Sequence, residues 1–210
     1  MGGRLVSVNV GGVRSVDRDG TPATTAILKQ PVSGRVSVSG VRIAGDAQAD
    51  LSVHGGPDRV AYAYASEDTR WWEVRLGRRL EPGSFGENLT TAGVDVTGAL
   101  IGERWRVGSA IFEVAQPRGP CWKLGMRMGD PAFPREFREA GRPGAYLRLV
   151  EVGDIAARDP VKVVGVPEGS LSIAEVARIH SRERNRAAEL LDLDGLSDDW
   201  KEWARKRVRS

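Results

Sequence analysis

The chain has 210 residues, 40% of them hydrophobic and 28% charged, which is the composition of a soluble globular domain with length for one sizeable core. Its 31 basic and 28 acidic residues leave a net charge of +3, too small to argue for a polyanionic partner, and a single cysteine excludes an internal disulfide. No stretch approaches the ~18 consecutive apolar residues of a membrane helix. The N-terminus, Met1-Gly2-Gly3-Arg4-Leu5-Val6, runs into strand-like sequence without the apolar core of a signal peptide, so the cytoplasm is the expected setting.

Two regimes follow along the chain. From residue 1 to about 165, short β-like runs alternate with turn residues: Leu5 to Val10, Val36 to Val41, Trp105 to Val107, Ile111 to Val114 and Tyr146 to Val152. Many short strands at this spacing predict a mostly β (α+β) unit built as a barrel. Glu67 to Leu76 carries Trp71, Trp72 and Leu76 at helical spacing with Gly77 as a stop, and Pro134 to Ala140 reads as a second short helix. Gly165 to Gly169 reads as a linker. Beyond it, residues 166–210 predict a small three-helix unit. Ser172 and Glu175 have capping-box form, and Ile173, Val176, Ala177 and His180 share a face. Ala187, Leu190 and Leu191 mark the next helix. Ser197-Asp198-Asp199 caps a third, with Trp200, Trp203, Ala204 and Val208 in one stripe. Its basic end, Lys201 to Arg209, is expected to be solvated and set favourably against the helix dipole rather than to bind nucleic acid.

Three loops stand apart from this scaffold. Gly45 to Asp50 leads into Val53-His54-Gly55-Gly56-Pro57-Asp58-Arg59, where paired glycines let the backbone approach a ligand or expose N–H groups to an anion. One cysteine and two histidines cannot furnish an ordinary structural zinc site, and His54 reads equally as a hydrogen-bonding scaffold residue. Pro82 to Thr91 sets Phe85 between glycines and places Glu87-Asn88 before a strand, Asn88 offering donors and an acceptor to a polar ring edge. Gln116-Pro117-Arg118-Gly119-Pro120-Cys121-Trp122-Lys123 is a stiff loop that ends on the only cysteine. Its cations Arg118 and Lys123 favour thiolate, the form that attacks electrophiles or ligates soft metals. A lone cysteine is also commonly a small buried hydrophobe, so residue types alone leave its role open.

Together, His54-Gly55-Gly56 with Asp58-Arg59, Phe85-Gly86-Glu87-Asn88-Leu89, and Gln116-Pro117-Arg118 with Pro120-Cys121 resemble, in order and spacing, the signature of the MOSC family (molybdenum cofactor sulfurase C-terminal domain). The likeness covers roughly residues 4 to 165, and the remainder is similar to the three-helix extension of the family's YiiM-like branch. The resemblance implies a MOSC β-barrel-like domain over 1–165, a helical extension over 166–210, and a molybdenum cofactor (Mo-molybdopterin). Cys121 would be the metal ligand and catalytic residue. His54, Gly55, Gly56, Asp58 and Arg59 would line the pterin groove, Arg118 or Lys123 would neutralise its phosphate, and Asn88 and Glu87 would contact the pterin or orient their loop. It also implies two-electron reduction of a small-molecule N-hydroxylated substrate, such as an N-hydroxylated purine, to the amine. The chain shows neither an iron–sulfur cysteine set nor a dinucleotide fingerprint, so electrons would come from a separate NAD(P)H-dependent flavoprotein reductase. The tryptophan stripe would dock that reductase, pack onto the barrel or form a homodimer interface. The alternatives are a cofactor or sulfur carrier without turnover, and a degenerate domain that binds protein or nucleic acid through its basic C-terminal helix.

Overall fold

The computed structural model describes residues 2–49 and 55–209. The first strand, β1 (Gly3–Val10), buries alternate side chains over its first half as a half-buried strand should. A projecting hairpin of β2 (Arg14–Arg18) and β3 (Thr21–Thr25) follows, then the two-residue β4 (Gln30–Pro31) against the end of β1. Strand β5 (Val36–Ser39), with β6 (Arg42–Ile43), belongs to a small separate sheet rather than to the barrel. A 3-10 turn at Pro57–Arg59 leads into β7 (Ala61–Ala65), and α1 (Ser66–Leu76) crosses over to β8 (Leu89–Ala92), parallel to β7. Gly77 ends α1 in the left-handed conformation, as expected of that stop.

The rest of the barrel is antiparallel. A tight turn joins β9 (Arg104–Val107) to β10 (Ala110–Pro117), Val107 pairing with Ala110. Two short helices, α2 (Trp122–Met128) and α3 (Phe133–Ala140), intervene before β11 (Ala145–Glu151). The predicted strand ending at Val152 stops at Glu151. Then β12 (Gly153–Ile155) joins the small sheet through β5, and β13 (Pro160–Gly165) returns to the barrel. Among the described residues seven strands close the circle in the order β13, β9, β10, β11, β7, β8, β1, with Gly3 opposite Val161 at the seam. The expected barrel is therefore present. Strand β7 shows how it is filled: alanines 61, 63 and 65 face the barrel core, while Tyr62 and Tyr64 face a second, aromatic cluster with Trp72, Phe85, Phe133 and Phe137. Tyr64 stacks on Phe85 at 4.3 Å and accepts a hydrogen bond from Trp72 Nε1 at 2.9 Å, so the buried hydroxyl is satisfied.

The C-terminal segment lies against the barrel. In α4 (Ile173–Ser181) the capping box forms as predicted: Ser172 Oγ accepts from Glu175 N–H, and Glu175 accepts from Ser172 N–H. Ile173, Val176 and Ile179 are buried in the barrel's own core cluster, whereas Ala177 and His180 turn to the neighbouring face. The predicted second helix is a 3-10 stretch, Arg184–Asp192, and α5 (Asp198–Val208) closes the chain. Ser197 occupies the cap position of α5, but its buried hydroxyl has no hydrogen-bond partner among the described residues. The acidic first turn and basic last turn favour the helix through its dipole. Of the expected stripe, Ala204 is buried, Trp200 and Trp203 pack against the core edge, and Val208 is exposed. Among the described residues, no helix is long and apolar enough to cross a membrane.

Candidate active site at the Cys121 cleft

Three chain segments meet beside Tyr62 and Tyr146, on the side of β7 and β11 that faces away from the barrel core. Pro117 ends β10, and residues 118–120 lead from it to the start of α2. Cys121 stands at the cap position of α2 with an extended backbone, half-buried on the cleft wall. Lys123 and Gly119 line the same cleft, as do Arg59, Gly86 and Asn88 from the other two loops. Three loops distant in sequence therefore share a single concavity.

The floor of the cleft is rigid because its polar groups are matched. Glu87, fully buried, accepts from the backbone N–H groups of Gly83 (2.6 Å) and Phe85 (3.0 Å) and from Thr90 Oγ1 (2.9 Å). Burial pushes its carboxyl up, while these donors work against that shift. Asn88 accepts from Tyr62 N–H at 3.1 Å and donates to Asn9 O at 3.1 Å and Asp46 Oδ2 at 2.9 Å. Immediately before them in the chain, Gly86 has φ +73, and a Cβ there would lie 2.4 Å from Ile27 Cγ1. Only glycine satisfies both demands.

Asp46 is the anchor on the opposite side. It accepts from Gly11 N–H at 2.8 Å and pairs with Lys29 at 2.5 Å, both side chains being almost wholly buried. Burial lowers the Lys29 pKa, with Asp46 opposing the shift. Gln48 ties the two ends of this loop together, donating to Arg59 O at 3.0 Å and accepting from Gly56 N–H at 3.3 Å. Gly56 takes φ 102, beyond the ordinary reach of other residues.

The remaining predicted residues separate by position. Arg118 is 7% exposed; it donates to Phe85 O and its guanidinium sits 4.9 Å from the Tyr62 ring centroid. Burial opposes its charge, but Tyr62, Tyr146 and Cys121 beside it hold its pKa above the ordinary value. Arg59 lines the cleft and pairs with Asp199 at 2.6 Å, tying the loop to α5. Asp58 instead pairs with Arg148 at 2.8 Å, away from the cleft lining. Gly55 is half-buried beside Gly56, and His54 lies outside the described residues.

Lys29, Gln48, Tyr62 and Tyr146 carry no role in the sequence reading, and no local motif marks them. Tyr62 and Tyr146 are direct cross-strand neighbours with centroids 5.1 Å apart. Only the β7–β11 register brings them together.

Comparison with known proteins agrees with this geometry. The MOSC domain profile matches residues 50–162. The uncharacterized protein YflK of Bacillus subtilis is 33% identical over 94% of this chain and 90% of its own length. A protein named reductase from Gibberella moniliformis is 30% identical over 99% of this chain, which spans 38% of that longer protein. The crystal structure of YiiM from Geobacillus stearothermophilus superposes with a TM-score of 0.83 at 32% identity, covering 98% of this chain and 99% of that one. The chain belongs to the MOSC domain family, in its YiiM-like branch.

Proposed function

We propose that the chain is a cytoplasmic oxidoreductase that binds molybdenum cofactor through Cys121 and reduces N-hydroxylated compounds to amines. One R–NHOH takes up two electrons and two protons to give R–NH2 and water, the electrons coming from a separate NAD(P)H-dependent flavoprotein. The observation that carries this reading is the placement of the chain's one thiol on the wall of the cleft where the three family loops converge. The reductase named among the relatives supports the reaction class.

The donor set fits the cofactor. Among the described residues no group of three or more His, Cys, Asp or Glu is placed to hold a metal on its own. A single soft thiolate suits a metal whose remaining ligands the cofactor brings. The bound cofactor supplies the two-electron couple at which the N–O bond is cleaved. Cys121 would hold the metal against the cleft wall. Lys123, half-buried on the rim, is the cation able to meet the phosphate. Arg118, committed to Phe85 O and Tyr62, supplies a fixed positive field beneath it. Gly86 leaves the floor open at the point where another side chain would intrude. Asn88 and Glu87 hold that floor still, since their hydrogen bonds run to the protein itself.

Molybdenum per chain, measured by elemental mass spectrometry after expression in a host rich in the cofactor, tests the reading. The expected result is near-stoichiometric metal in the wild type and its loss in Cys121→Ala, with N-hydroxylamine reduction by the wild type once reduced viologen supplies electrons. A folded wild type without metal or pterin overturns the proposal, and bound cofactor without turnover turns it into the carrier alternative.

A further inference from the structure

The hairpin of β2 and β3 takes no part in the barrel, its two strands pairing only with each other. Arg18 pairs with Thr21 across a two-residue turn, Asp19-Gly20, whose φ values of 54 and 81 are those of a type I′ turn, matched to the twist of the strands. The root of this ribbon is fixed. Gly11 N–H donates to Asp46 Oδ1 at 2.8 Å, Gly11 O accepts from Ala47 N–H at 2.9 Å, and Thr25 at the end of β3 is fully buried. The outer part is exposed, apart from the half-buried pair Val16 and Ala23. A two-stranded ribbon has little stability of its own, so where it rests depends on what ties it down. Root and tip both meet the Cys121 cleft. Thr25, Ala26 and Ile27 line it, and so do Cys121 and Lys123. Between those two, Trp122 offers its ring to Arg18, whose guanidinium lies 4.9 Å from the centroid. Among the described residues this is the one ion-pair, hydrogen-bond or ring contact that ties residues 14–24 to the rest of the molecule. Lys123 Nζ lies 5.9 Å from the same ring, so two like charges share one platform. An exposed cation–π contact is weak, and the second cation weakens it further, so the tie opens readily.

We propose that the β2–β3 hairpin is a strap across the entrance to Cys121, latched by Arg18 on Trp122, and that unlatching admits bulky molecules to the thiol. Small molecules pass the latched strap, whereas larger ones wait for the ribbon to lift about its fixed root. The inference is independent of what the cleft binds, so it stands or falls apart from the reductase reading.

The chain has one cysteine, so thiol modification reads this site alone. The purified full chain is treated with N-ethylmaleimide and with the bulkier, equally uncharged N-(1-pyrenyl)maleimide, and the rate of each with Cys121 is measured at one pH. Removing a cation near Cys121 disfavours its thiolate and slows both reagents alike, so the ratio of the bulky to the small rate isolates access. Arg18→Ala should raise that ratio roughly two- to fivefold, the strength of one exposed cation–π contact. Trp122→Leu, which removes the platform and keeps both cations, should raise it by a similar factor, and the double variant by no more than either single change. In both single variants the amides of residues 14–24 should exchange hydrogen faster while those of β1 and β8 are unchanged, and melting checks that each variant is folded. A ratio that rises in neither folded variant overturns the strap. A rise in only one of them, or additive rises in the double variant, assigns access to a single side chain rather than to the contact and overturns the latch.

Discussion

Lys29 and Asp46 show how much of the site depends on residues that make no chemistry of their own. Their ion pair lies under the cleft with both side chains almost wholly buried, and Asp46 is also the acceptor for Gly11 N–H and Asn88 Nδ2. Lys29→Met removes one charge and strands the other in a dry setting, which should destabilise the fold by about 3 kcal/mol in denaturant titrations. Lys29→Met/Asp46→Asn should recover part of that loss. If the double variant is no more stable than Lys29→Met, the stranded carboxylate is not the source of the cost. Cys121 was legible because it is singular and follows a proline–glycine loop. Arg118 was legible as a cation, but its burial beneath Phe85 and Tyr62 was not, because the partners lie on β7 and on the loop before β8. Lys29 gave no signal at all: a lysine flanked by Leu28 and Gln30 looks the same whether solvated or paired across the molecule.

At the scale of elements, α4 and α5 meet through His180, whose ring contacts Trp200 and Trp203. Burial lowers its pKa, and Arg184 and Arg138 add to the shift. The folded protein therefore resists a proton that the unfolded chain accepts from about pH 6.5 downward. Stability from this residue is complete above that pH and is lost as pH falls through the folded pKa. His180→Gln should flatten the decline in Tm between about pH 7 and pH 5, relative to the wild type. Parallel declines in the two proteins would remove His180 from the account. The elements that sequence foresaw are those with a period or a cap, as in α1 with Gly77 and α4 with its Ser172–Glu175 box. Strand β7 escaped because all five residues are buried, so Ala-Tyr-Ala-Tyr-Ala has no polar face to betray a period of two. Helix α2 escaped because it is seven residues long with Gly125 inside it, where a Cβ would meet Asp130 O at 2.9 Å.

For the whole molecule, the barrel and the C-terminal helices share one hydrophobic cluster, in which Ile173, Val176, Ile179 and Leu190 lie with Phe112, Val114 and Trp105. Unfolding should therefore be a single cooperative transition, with all probes coincident. A chain truncated after Gly169 should lose that transition or aggregate, since it would expose the apolar surface these helices cover. A truncated chain that melts as sharply as the full one would show the extension to be an independent unit. The count of short strands made the barrel legible in the sequence; its closure was not, because the seam pairs residues near opposite ends of the strand series.

That seam also orders events in time. Of the barrel strands β1 is made before the others and its partner β13 after them, so the edge that Gly3 and Arg4 offer to Val161 and Pro160 must wait unpaired through most of the barrel's synthesis. Long-range pairing of this kind slows folding, because chain entropy is spent before contacts return it. The helices that carry Trp200 and Trp203 emerge later still. Whatever the Cys121 cleft binds is therefore met by a finished chain, because the α5 residue Asp199 that pairs with Arg59 on the cleft wall is made only after the barrel has closed.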